Sequence, residues 1–195
     1  MKHPSNRELY EYWNQRRGDR LAPERGEIEP GAIRSILGDT FVLEMNGVNN
    51  ATFRLAGTRL CALFARELKG ESFTRLWERT GQTAMRELIA VVMDEKVGVV
   101  ASVSGATSDD LLQPVGLELL LLPLAAEHRG DARVIGALAP MSAPYWLGAK
   151  PIGPLTLGMF RHLGPMVDTT AAPRLRPAAG RLRHGLTVHE GGRTT

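Results

Sequence analysis

Cysteine is almost missing from this 195-residue chain. Cys61 stands alone, which excludes an internal disulfide and any Cys-x-x-Cys redox or zinc site. Long apolar runs are missing too. The leucine run Leu119 to Leu122 stops at Pro123, and no apolar stretch comes near the roughly 20 residues a membrane span needs. The first residues, Met1-Lys2-His3-Pro4-Ser5, turn polar and charged at once, with no apolar core of a secretory signal. Together with a free thiol, this predicts a reducing cytoplasm. His3, His128, His162, His184 and His189 are scattered, with no His-x-x-x-His pair. Gly-x-Gly-x-x-Gly, a phosphate-binding lysine loop and a Gly-x-Ser-x-Gly elbow are all lacking. Nothing speaks for catalysis, so the expectation is a protein that is not an enzyme, with no metal site. The cofactor stays unknown, with no haem or flavin signature.

What is present is ordinary globular material, 43% hydrophobic and 23% charged, enough for one domain or a domain with a tail. The net charge of +3 and a pI near 9.3 suggest a nucleic-acid binder, but the charge is unevenly placed. Five of the 24 basic side chains, Arg174, Arg176, Arg181, Arg183 and Arg193, lie in residues 171–195 with one acid, Glu190. Residues 1–170 keep 19 basic and 20 acidic side chains, a net charge of −1. The basic character therefore belongs to the tail.

The hydrophobic period divides the chain. Ser5-Asn6-Arg7-Glu8 has capping-box spacing, and a helix to about Arg17 would put Leu9, Tyr12 and Trp13 on one face. Pro30 suits a first helical position, and Ile33, Ile36 and Leu37 make a stripe that ends at Gly38. From Thr40 the period becomes two, and two short runs around Asn46-Gly47 predict a hairpin. A short helix from Arg59 to Phe64 follows, with Thr58 as its cap and a stop at Gly70. Ser72 can cap another turn through Trp77. From Gln82 to Asp94, Met85, Leu88, Ile89 and Val92 define one buried helical face. Runs at Val97–Val103, Val115–Leu122 and Arg133–Ala139 predict three strands, with a turn at Asp109-Asp110. Strands at both ends with helices between predict an antiparallel α+β sheet with helices on one face. A short helix is expected from Thr156 to Leu163. From Ala171 the Pro/Ala/Arg/Gly-rich composition predicts disorder. The divisions are a helical extension at 1–39, a sheet domain at 40–140, a Gly/Pro-rich extension at 141–170 and the tail at 171–195.

The run Phe53-Arg-Leu-Ala-Gly-Thr58-Arg-Leu-Cys61-Ala-Leu-Phe64-Ala-Arg-Glu-Leu68-Lys-Gly70-Glu-Ser-Phe73-Thr-Arg-Leu-Trp77 resembles the central part of PAS domains. With Tyr12-Trp13, the Arg-rich link from Arg16 to Glu29, and Ile28-Glu29-Pro30, the chain resembles a bacterial family of small, mostly single-domain PAS proteins. The resemblance covers about residues 8–140, and Arg181 to Gly192 is a suggestive match. Gly31 after the proline and Ala65, where the family usually has glycine, depart from it. Ala65 fits if the backbone there stays helical. The resemblance implies a PAS-like five-stranded antiparallel sheet with helices on one face and an extra N-terminal helix. It also implies a cavity between the layers, and a sensory or regulatory role.

Candidate residues follow from these patterns. Arg54, Thr58, Arg59, Cys61, Phe64 and Trp77 are candidates to line a ligand pocket. Arg54 and Arg59 could instead pair with Glu44 and Glu67, and Cys61 reads as a packed, inert thiol. Leu9, Tyr12, Trp13 and Trp146 are candidates for an interface, which makes a homodimer or a signalling-pathway protein partner an expectation. The leading reading is a non-enzymatic module that binds a small ligand or a protein and signals through shape or oligomeric change. An alternative is nucleic-acid association through the arginine tail, which lacks aromatics to stack bases. A second alternative is a small lyase or isomerase using Glu118 or His128.

Overall fold

The computed structural model describes residues 1–45, 50–107, 110–126 and 132–164. The Asn46-Gly47 loop, Asp109, His128 and everything from 165 onward, the arginine tail included, lie outside these residues. The chain begins with helix α1 (Pro4–Arg17), followed by single turns at Arg25–Glu27 and Pro30–Ile33. Strands β1 (Thr40–Met45) and β2 (Ala51–Ala56) pair antiparallel, as the change of period predicts. Helix α2 (Thr58–Leu63), a turn at Phe73–Leu76 and helix α3 (Gly81–Asp94) come next. Strands β3 (Gly98–Thr107), β4 (Asp110–Leu124), β5 (Arg133–Pro140) and β6 (Thr156–Leu163) complete one antiparallel sheet in the order β2-β1-β5-β4-β3-β6.

The five-stranded sheet is present, and a sixth strand extends it. Thr156–Leu163 is that strand, not the expected helix. An eight-residue run that mixes Leu157, Met159, Phe160 and Leu163 with a glycine, an arginine and a histidine carries no decisive period. The free edge of β3 decides it by offering a ladder from Gly98 to Ser104. At Gly158 space is tight, since a Cβ would lie 2.5 Å from the Ser102 hydroxyl and 3.1 Å from the Ser102 carbonyl oxygen.

The sheet buries both faces. Leu117, Leu119 and Leu121 of β4 join the core beneath α2 and α3, while Leu120, Leu122 and Leu124 join the core beneath α1. This explains an unbroken leucine run in an antiparallel strand, where one-sided burial would give alternation. On the inner face, Met85, Leu88, Ile89 and Val92 of α3 are all buried, as their spacing predicts. On the outer face, Leu9 and Trp13 of α1 pack with Ile33, Ile36, Ile135 and Ala137.

Two local expectations change. Helix α1 starts two residues earlier than the capping-box reading: His3 is its cap, accepting the Ser5 N–H through Nδ1, and Pro4 opens the helix. The Ser5 hydroxyl is thereby freed to donate to Asp39. The cap of α2 is Gly57, and Thr58 makes no capping hydrogen bond. Gly57 has φ −70°, which any residue adopts. It is needed because a Cβ would lie 2.1 Å from the Leu37 carbonyl oxygen, and this close approach joins the N-terminal arm to β2.

Residues 141–155 cross back over the helices. The Ile152 N–H donates to the Leu63 carbonyl at 2.8 Å, and the Leu155 N–H to that of Leu76 at 2.7 Å. Both side chains are buried in the inner core. The Gly/Pro-rich extension is thus part of the fold as far as β6.

Candidate functional site

The centre of the space between the sheet and its helices is filled, and a cleft of about 420 Å³ stays open at its α3 edge, beside Met45, Ala51, Ile89 and Met93. Phe41, Phe53, Phe73 and Trp77 form a ring cluster with centroids 5.4 to 5.8 Å apart. Each pair is offset or edge-on, the arrangement aromatic quadrupoles favour. Ala51, Leu43, Leu119 and Met85 are buried in the same core.

A cavity of about 300 Å³ lies on the opposite face, under the N-terminal arm. Its floor is the outer surface of the sheet, with Val42 from β1, Leu55 from β2 and Ile135 from β5. Its roof is the arm, with Ile28, Ile33 and Leu37. Leu55 is 49% exposed and Leu37 37%, so apolar surface stays open at the mouth. Arg25 also lines the cavity, and it has no ion pair or side-chain hydrogen bond among the described residues.

Two buried carboxylates hold α1 and the arm in place. Asp39, at the end of the arm, accepts from Arg59 through both oxygens, at 2.7 Å from Nε and 2.8 Å from Nη2. The Ser5 hydroxyl donates to the same group at 2.6 Å. Burial alone would raise this carboxyl, but the hydrogen bonds from Arg59 and Ser5 and the nearby guanidinium outweigh it and hold Asp39 below its ordinary value. Glu118, on the outer face of β4, accepts the backbone N–H groups of Lys2 and His3 at 2.7 and 2.8 Å. Asn6 Nδ2 donates to the same carboxylate and to the Glu118 carbonyl, both at 3.1 Å. The N-terminus of α1 is therefore anchored on charge at two points, and Trp13 Nε1 adds a third anchor by donating to the Pro123 carbonyl at 2.8 Å.

The structure separates the six pocket candidates. Thr58 lines the outer cavity, and Arg59 lies beside it, engaged with Asp39 and not with Glu67. Arg54 is exposed, 4.0 Å from Glu44, the partner expected for it. Phe64 and Trp77 are buried in the inner core, where Trp77 Nε1 finds no acceptor among the described residues. Cys61 is half-buried. Burial pushes its thiol up, and the Glu67 carboxylate 3.6 Å from Sγ pushes the same way, against a backbone hydrogen bond at Leu68. A thiol held protonated is a poor nucleophile.

Of the interface candidates, Leu9 and Trp13 are spent inside their own chain at 0% and 4% exposure. Tyr12 is half-buried, and its hydroxyl bonds the arm at Glu27 and Glu29. Trp146 is also half-buried, packed against the inner core. Sequence reasoning missed Asp39, Asn6 and Arg25, along with Leu55 and Val42 as cavity residues. A signal existed for Val42, which alternates with the inward-facing Phe41 and Leu43 and is apolar nonetheless; Leu55 shares the parity of the inward-facing Phe53, and only the register shift in the β1–β2 ladder turns it outward.

The first five strands, ordered β2-β1-β5-β4-β3 with short helices on one face, define an α+β domain built on a single antiparallel sheet. A PAS-domain family model matches residues 1–139, and the chain belongs to that family. The match includes α1 and the arm and stops before β6. A search of curated proteins found no match. PAS domains are sensory and regulatory modules, and no helix among the described residues is long and apolar enough to cross a membrane.

Proposed function

We propose that this PAS protein is a non-enzymatic sensor that takes a small ligand into the cavity under its N-terminal arm and signals to a protein partner. The observation that carries the reading is the contrast between the faces. The centre of the inner layer is closed by four packed rings, and the cleft at its α3 edge is flanked by the charged Arg86, Asp94 and Lys96, whereas the outer face keeps about 300 Å³ with mostly apolar walls beneath a short, two-turn arm. That volume is at the small end of ligand sites, and its walls are mostly apolar with a few polar handles, as such sites require. The arm links the cavity to α1, so a ligand that orders the arm changes the surface that the arm and α1 present. Asp39 and Glu118, the buried carboxylates, are engaged in anchoring α1, which argues against acid–base work by either.

Hydrogen exchange of residues 25–37, with and without a metabolite extract of the host, tests this. Extract should slow exchange in the wild type and leave Leu55→Trp, whose larger side chain fills the cavity, unchanged. Equal exchange in the wild type with and without extract would contradict the ligand reading.

A further inference from the structure

The cavity under the arm combines apolar walls with one unopposed positive charge. Arg16, Arg20, Arg54, Arg59 and Arg66 each have a carboxylate within 4.0 Å. Arg25, which lines the cavity, has none among the described residues. Glu27, two residues on, is committed elsewhere: one oxygen accepts from Arg20 at 2.7 Å and the other from the Glu24 N–H at 2.7 Å. Neither Glu24 nor Glu27 lines the cavity, and no acidic side chain among the described residues does. The floor, formed by Val42, Leu55, Leu124 and Ile135, offers no charge and no side-chain donor. A ligand complementary to this arrangement is amphipathic, with an apolar body against the sheet and an anionic head at the Arg25 end.

On the reading that this cavity is the ligand site, we infer that it takes small apolar carboxylates, of the medium-chain or aromatic kind, with Arg25 as the residue that selects the acid over its neutral analogue. The guanidinium fork matches a carboxylate in a bidentate fashion, which a neutral alcohol cannot reproduce. A cationic amphiphile is disfavoured for the same reason. The head lies at the exposed rim, so the charge contributes discrimination while the apolar walls supply most of the affinity.

The test uses the full chain, decanoate and decanol as probes, and two variants, Arg25→Gln and Leu55→Glu. Both positions are exposed, so folding is not at stake, and circular dichroism checks it. Calorimetric titration should show decanoate binding the wild type about tenfold tighter than Arg25→Gln. Decanol should bind both equally, and Leu55→Glu should weaken decanoate more than decanol. If decanoate and decanol bind alike and Arg25→Gln changes neither, the carboxylate inference is overturned while the cavity reading stands. If neither probe binds the wild type, and the methyl resonances of Ile33, Leu55 and Ile135 stay fixed, the inference and the cavity reading fail together.

Discussion

Ala65 sits at φ 51°, a left-handed conformation that costs an ordinary L-residue about 1–2 kcal/mol. The backbone there is a turn after α2, not a continued helix, so the departure from the family's glycine carries strain. Ala65→Gly should raise the unfolding free energy by about 1 kcal/mol in urea titration, and no gain would mean the strain is relieved elsewhere. Asp39 makes the opposite case, a side chain fully engaged. Its carboxyl is held below the ordinary value, so its contribution is present above about pH 4 and is lost as pH falls through the lowered value. Asp39→Asn should cost about 1–3 kcal/mol at neutral pH. It should also make the acid limb of the stability–pH curve shallower, and an unchanged limb would remove Asp39 from the account of acid sensitivity.

Among the elements, α1 carries the clearest consequence. Its aromatic face reads equally well as a dimer surface or as cover for the sheet, because periodicity reports that a face is buried and not against what. The structure places Leu9 and Trp13 against this chain's own β4 and β5. Trp13→Ala should therefore destabilise the folded chain by about 3–5 kcal/mol in thermal or denaturant unfolding. Unchanged stability with a changed sedimentation coefficient would restore the interface role. The join between arm and β2 depends on Gly57, where an added Cβ would meet two backbone carbonyl oxygens at 2.1 and 2.3 Å. Gly57→Ala should lower stability by about 3 kcal/mol or more, since backbone cannot yield as a side chain does. A near-neutral result would show that the arm is loosely attached.

Over the whole molecule, what could be read from the chain was set by how local the determining physics is. The pairing of β1 with β2, the buried face of α3 and the antiparallel α+β sheet follow from the hydrophobic period. Strand β6 was not legible, because its conformation comes from the free edge of β3, some 60 residues away in sequence. The site was the least legible part. Phe64 and Trp77 have the composition of pocket residues, yet packing turns them into filler. Arg25, Val42 and Leu55 come together only because the arm folds back over the outer sheet face. The central claim is thus one of location: ligand is taken under the arm, not between sheet and helices. Methyl-resolved NMR during decanoate titration tests it most directly. Shifts at Ile33, Leu55, Leu124 and Ile135, with Leu43, Leu88, Ile89 and Leu119 unmoved, are the predicted result; shifts confined to the second set would contradict it.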